Sequence, residues 1–221
     1  MNQHLEQHGF AIVPKVLAAD DLQSLSATLG SPEAAGRRGL LAEPAVAHFA
    51  HSARLMDLVR PHLPVEPRPV RAIYFNKSVE TNWLVAWHQD LTIAVAQQVE
   101  VPGYTAWSVK NGVPHVQPPV ELLQNMLTVR VHLDDCDETN GALRVLSGTH
   151  KLGRLAADQI QELRETPAEH LCRAAAGDVM LMRPLLLHAS GRSESMRPRR
   201  VLHIEYAGFT LPGTLAWSDA A

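Results

Sequence analysis

Apolar residues recur at helical spacing in the first third of the chain and mostly at alternate positions after Pro69. One exception comes early: Phe10-Ala11-Ile12-Val13 is an unbroken apolar run closed by Pro14, which reads as a short strand. Leu22, Leu25 and Leu29 then fall on one face of a helix, with Asp20 or Asp21 near its N-terminus. Ser31 to Gly39, mixing Gly, Pro and Arg, reads as a loop. A second helix is expected from about Ala45 to Leu63, with Phe49, Leu55, Met56 and Val59 as its apolar stripe.

Beyond Pro69 the expected strands are Val70 to Lys77, Trp83 to His88, Met126 to Leu133, Ala142 to Leu146, Asp178 to Met182, Leu185 to Ala189 and Arg199 to Gly208. They are short and divided by turn signals such as Glu138-Thr139-Asn140-Gly141 and Ala176-Gly177-Asp178. Helices first and many short strands afterwards predict a mainly β (α+β) domain, a sandwich or barrel with flanking helices. Leu91 to Pro119 reads as a long loop, a lid or binding insert that carries Tyr104, Trp107 and His115, with a structured insertion that has no role in binding as the alternative.

Composition narrows the class without naming a chemistry. A chain of 221 residues with 46% hydrophobic and 19% charged residues fits one globular domain. A formal charge of −3 gives no electrostatic reason to expect nucleic acid or an anionic membrane as partner. No apolar run is long enough to span a bilayer, and MNQHLEQHGF lacks the pattern of a signal peptide, so the cytoplasm is the expected location. Cys136 and Cys172 are too few for a disulfide framework. A monomer is the default oligomeric state.

The chemistry starts at Trp87-His88-Gln89-Asp90. In a strand, residues i and i+2 share a face, so His88 and Asp90 can offer an imidazole and a carboxylate to one ion. His188, after the apolar runs 179–182 and 185–187, is the best third ligand; taken alone, it would read as a core histidine bonded to backbone. Two histidines and one carboxylate occupy one face of an octahedral ion and leave three positions open, the arrangement of Fe(II) oxygenases. Zinc would draw on further Cys or His ligands, and no Cys pair is suitably spaced. Arg199, eleven residues after His188, can return on a hairpin and hold a carboxylate in its fork, with Ser190 as a second donor. A solvated turn or a nucleic-acid patch is the competing reading of Arg197, Arg199 and Arg200.

Trp87-His88-Gln89-Asp90, the segment 138–150 ending in Ser147-Gly148-Thr149-His150, and Gly177-Asp178 leading to His188, Ser190 and Arg199 resemble the phytanoyl-CoA dioxygenase-like branch of Fe(II)/2-oxoglutarate oxygenases. The resemblance runs from Gly9-Phe10 to Leu211-Pro212-Gly213, with Ser147 standing where the family usually has Pro. It implies a double-stranded β-helix (jelly-roll, cupin-like) core over about residues 70–210, helical support over about 14–65 and an insert or lid over about 91–119, within one domain, 1–221.

The resemblance further implies His88, Asp90 and His188 as catalytic metal ligands, Arg199 with Ser190 on the distal carboxylate of 2-oxoglutarate, and O2 as oxidant, with ascorbate as an in vitro reductant. Thr128, Arg130 and His132 alternate with Val129, Val131 and Leu133. If the polar set faces the barrel mouth, Thr128 meets the co-substrate and Arg130 a substrate anion; a solvent-facing row is the open alternative. Lys77 and Asn76 are candidates for the same pocket, Trp107 and His115 for substrate contact, and Trp83, Trp87 and Tyr74 for packing. Halogenating relatives need a small residue in place of Asp90, so its presence favours hydroxylation or a related oxidation of a small molecule. A cupin-like metal protein that binds a ligand without 2-oxoglutarate-dependent oxidation is the alternative.

Overall fold

Two antiparallel sheets face each other as a jelly roll in the computed structural model, which describes residues 2–30, 35–78, 80–165 and 169–218. In chain order the first elements are α1 (Asn2–His8), β1 (Phe10–Val13), α2 (Ala19–Leu29), β2 (Gly36–Arg37), α3 (Pro44–Ala50) and α4 (Ala53–Val59). Next come β3 (Arg68–Lys77), β4 (Val85–His88), β5 (Ile93–Ala94), β6 (Thr105–Lys110), β7 (Val113–Gln117) and α5 (Val120–Gln124). The remainder is β8 (Met126–His132), β9 (Leu143–Leu146), α6 (Ala157–Arg164), β10 (Glu169–Cys172), β11 (Val179–Met182), β12 (His188–Ser190) and β13 (Arg199–Ala207). The large sheet has six strands in the order β1-β11-β8-β13-β3-β2, and the small one four, in the order β10-β9-β12-β4.

Alternation along β8 decides how the layers stack. Leu127, Val129 and Val131 point outward into a core with Ala72, Tyr74, Leu181 and Leu202, roofed by Leu5, Leu25, Leu29, Val46 and Leu55 from the helices. The opposite face of the same strand looks between the sheets, where Met180 and Met182 of β11 meet Leu143, Val145 and Cys172 of the small sheet. Thr128, Arg130 and His132 lie on that inner face and are 1%, 5% and 3% exposed, so the polar row is interior and not solvent-facing.

Several elements depart from the sequence expectation. α1 is an unexpected helix held by the burial of Leu5 and ended by Gly9, whose φ of 83° and N–H to the Leu5 carbonyl form a left-handed cap. The helix expected over Ala45 to Leu63 is two, α3 and α4, because Ser52 turns extended (φ −61°, ψ 144°) and starts a new helix. Of the loop expected over Ser31 to Gly39, residues 31–34 lie outside the described ones, while Gly36 and Arg37 pair with β3.

The run Leu185 to Ala189 is a strand only from His188. Leu185, Leu186 and Leu187 sit in a turn and enter three separate apolar clusters, so their hydrophobicity reflects burial in different directions. The insert is also not a loop. Residues 91–119 fold into a three-stranded sheet, β5-β7-β6. Its β6–β7 hairpin turns at Asn111-Gly112, both left-handed with φ of 51° and 79°, which is the dipeptide a tight hairpin demands.

Candidate metal centre

β4 and β12 pair antiparallel with His88 opposite His188. Each imidazole Nδ1 lies 2.8 Å from the carbonyl oxygen two residues back, Ala86 for His88 and Leu186 for His188. A carbonyl only accepts, so Nδ1 carries the proton and Nε2 offers its lone pair, the outer-shell arrangement usual for metal-binding histidines. Burial pushes His188 down to about 4, which keeps it neutral and able to ligate at ordinary pH.

Asp90 lies just past the strand, with its N–H on the Pro184 carbonyl at 2.9 Å. Its two carboxylate oxygens are 3.8 Å from Nε2 of His88 and of His188 respectively. Those gaps are too long for hydrogen bonds, and all three ligand atoms lie within 4.8 Å of one another, room for one ion between them. Burial opposes the Asp90 charge, but His188, His203, His88 and Arg71 together outweigh it and hold the carboxyl below its usual range. The donor set fits a divalent ion that keeps open positions.

Gln89, between His88 and Asp90, points away from them and is buried. Its amide donates to the carbonyls of Gly153 (2.8 Å) and Leu185 (2.7 Å) and accepts from the Leu155 N–H (2.8 Å). Thr149 does similar work behind His188, donating to the Leu146 carbonyl and accepting from the Leu187 N–H. Both ligand-bearing segments are thus tied to the scaffold by backbone contacts.

A cavity of about 180 Å³ opens from His88, Asp90 and His188. Phe75, Trp83, Val85 and Leu143 form its apolar wall, while Arg130, Arg199, Ser190 and His203 supply polar groups. Trp83 therefore lines the cavity in place of the packing role expected of it; Trp87 and Tyr74 do pack.

Arg199 stands directly opposite Lys77 across β13 and β3. Like charges facing each other inside a protein are unfavourable unless an anion joins them. Lys77 is fully buried, donates to Ser190 Oγ at 3.0 Å and the Gly191 carbonyl at 2.6 Å, and sits 5.0 Å from the Trp83 ring centre. Burial, then Arg199, pushes its ammonium down to about 7. Arg199 gives Nη1 to the Gly141 carbonyl at 2.9 Å, and its buried Nε has no partner among the described residues. Gly141 needs its left-handed φ of 77°, and a Cβ there would meet the Gly191 oxygen at 2.8 Å and Lys77 Nζ at 3.2 Å.

The structure leaves other candidates outside this group. Thr128 is interior, but it lies opposite Glu205 and Met182, further along the strand than the cavity wall. Trp107 packs on an apolar cluster with Ile93, Val116 and Trp217, because the insert is folded down as a sheet. His115 is buried with Nδ1 on the Val113 carbonyl at 2.9 Å. Neither lines the cavity. Asn76, one residue out of step with Phe75 and Lys77, is on the other face of β3. Arg197 and Arg200 are engaged with Asp137 and Asp134. Sequence reading missed His203 and Glu205, although both share the strand parity of Arg199.

Solved structures share this architecture at low sequence identity. AviO1 from Streptomyces viridochromogenes Tue57 aligns with TM-score 0.69 and 21% identity, over 96% of this chain and 95% of that one. HygX from Streptomyces hygroscopicus with nickel and 2-oxoglutarate bound aligns with TM-score 0.66 and 18% identity, over 94% and 87%. EctD from S. alaskensis with 2-oxoglutarate and 5-hydroxyectoine aligns with TM-score 0.70 and 18% identity, over 93% and 74%. No curated protein matches the sequence. The phytanoyl-CoA dioxygenase (PhyH) family model matches residues 5–201, and the chain belongs to that family.

Proposed function

We propose that the protein is an Fe(II)- and 2-oxoglutarate-dependent oxygenase that hydroxylates a C–H bond of a small molecule. The observation that carries this reading is the convergence of His88, Asp90 and His188 on one point beside a buried pair of cations, Lys77 and Arg199, that has no acidic partner among the described residues. HygX and EctD, which share the fold, have structures with 2-oxoglutarate bound, and this supports the same co-substrate here. When bound, iron with 2-oxoglutarate and O2 supplies the oxidation, the keto acid leaving as succinate and CO2 while a substrate C–H bond is oxidised.

The chain's own residues bind and orient. His88, Asp90 and His188 hold the ion from one side. Arg199 presents its unpartnered Nε edge to the distal carboxylate of the keto acid. Lys77 adds a second positive charge and, through Ser190, fixes a hydroxyl at the cavity wall. Phe75, Trp83 and Val85 keep the substrate side apolar and limit water.

The test is succinate formation from 2-oxoglutarate with Fe(II), ascorbate and O2. The expected result is succinate above the protein-free background, lost in His88→Ala. Folded, iron-loaded protein that forms none, alone or with a panel of small-molecule substrates, contradicts the proposal.

A further inference from the structure

A second guanidinium faces the same cavity, and 2-oxoglutarate leaves it without a partner. Arg130 is 5% exposed, and its Nη1 donates to Nδ1 of His203 at 3.0 Å. Because arginine only donates, His203 accepts at Nδ1 and carries its proton on Nε2, which faces Glu205 Oε1 at 3.3 Å. Glu205 is in turn paired with Arg71 at 3.2 Å. The Phe75 ring, with its centre 5.8 Å from the guanidinium carbon, packs against Arg130 and stands edge-on to His203. Both sides of the guanidinium are therefore held, and the group is fixed before any ligand arrives.

What remains unused is its carboxylate-binding edge. Arg130 Nε is buried without a partner, and among the described residues nothing bonds Nη2. Elsewhere this chain uses that Nε/Nη2 edge to hold carboxylates with both nitrogens, in Arg60–Glu66, Arg173–Glu138 and Arg200–Asp134. Arg130 forms no ion pair among the described residues. The charges around the cavity point the same way. A divalent ion and a 2-oxoglutarate dianion cancel, Asp90 offsets Arg199, and Glu205 is taken by Arg71, so the positive charges left over are those of Lys77, already bonded to Ser190 and the Gly191 carbonyl, and Arg130.

We propose that Arg130, set by the chain Arg71–Glu205–His203, is the receptor for a carboxylate on the primary substrate, making that substrate a small carboxylic acid whose apolar part lies along Phe75, Trp83 and Val85. This rests on the reading of the site as a 2-oxoglutarate oxygenase: one carboxylate of the co-substrate goes to the metal and the other to Arg199, leaving one fork for the substrate. His203 and Glu205 are positioning residues in this scheme.

The test uses full-length protein loaded with Mn(II), which needs no turnover, and isovalerate with its neutral match isovaleramide as probes. Calorimetry first measures 2-oxoglutarate binding. Paramagnetic relaxation of probe protons, with 2-oxoglutarate saturating, then reports binding close to the metal. The expected result in the unaltered protein is isovalerate binding about tenfold or more tighter than isovaleramide. Arg130→Gln is expected to remove that preference while 2-oxoglutarate affinity stays within about twofold, and Arg130→Lys, which keeps the charge and loses the fork, to retain part of it. Two results overturn the proposal: no preference in the unaltered protein, or a loss of 2-oxoglutarate affinity in Arg130→Gln as large as in Arg199→Gln, which would assign this fork to the co-substrate. Failure of the unaltered protein to bind 2-oxoglutarate at all is a different result, and it removes the oxygenase reading itself. Absence of a preference in the unaltered protein overturns the proposal even if both Arg130 variants misfold.

Discussion

His88 and His188 are register partners across one antiparallel strand pair, with ring centres 4.2 Å apart. Residues a hundred positions apart in sequence thus become neighbours through the pairing of β4 with β12, and their carbonyl-bonded Nδ1 atoms turn both Nε2 atoms the same way. In both His88→Ala and His188→Ala, Fe(II) affinity is expected to fall by more than the roughly 10–100-fold of an outer-shell change. Anaerobic equilibrium titration checks this, with circular dichroism showing the fold intact; unchanged iron affinity in either variant would mean that ring is not a ligand.

Arg199→Met separates co-substrate binding from metal binding. It removes a charge-assisted contact worth about 1.5–3 kcal/mol, so 2-oxoglutarate should bind roughly 10–100-fold more weakly. Fe(II) affinity should change little, since Arg199 bonds the Gly141 carbonyl and no metal ligand. Calorimetry of the two titrations gives both numbers.

Lys77 predicts a pH dependence. Its folded value, pushed down to about 7, lies well below the ~10.4 of an unfolded lysine. Between those values the unfolded chain holds the extra proton, so this group makes the ligand-free protein more stable as pH rises, by up to ~1.4 kcal/mol per pH unit. Urea unfolding at pH 7 and pH 9 should show this gain, and Lys77→Met should lack it. A carboxylate placed beside Lys77 favours the ammonium, so 2-oxoglutarate binding near pH 8 should take up protons, visible as heats that differ between buffers of different ionisation enthalpy.

Gln89→Ala tests whether the ligand-bearing turn is held from behind. Its removal strands buried backbone groups of Leu185 and Leu155 and frees the half-buried Gly153 carbonyl, at a cost of about 2–4 kcal/mol. Iron affinity should also fall, although Gln89 touches no ligand atom, and denaturant unfolding with metal titration measures both.

Much of the site was legible because strand parity is legible. The polar parity of Arg130 proved to be the inward one, whereas Asp90 lies just past β4 and reaches the Nε2 atoms of His88 and His188 from the turn beyond it rather than from a shared strand face. The same rule carried from Arg199 to residues 203 and 205 would have named His203 and Glu205. Their partner Arg71 is on another strand, and no local pattern reveals that pairing. Asn111-Gly112 announced a hairpin inside the insert, and the weak alternation of the flanking strands hid it. The break at Ser52 was hidden by apolar spacing that continues in step across it. How deep Thr128 sits depends on register, which one strand alone does not specify.

One ion, bound on one side by His88, Asp90 and His188, is expected to keep adjacent open positions for a keto acid. Anaerobic titration of the protein with Fe(II) in the presence of 2-oxoglutarate, followed in visible absorption, addresses it directly. The expected result is a metal-to-ligand charge-transfer band that saturates at one iron per chain and is absent in Asp90→Ala. Folded protein with no such band, or a band undiminished in Asp90→Ala, would contradict it.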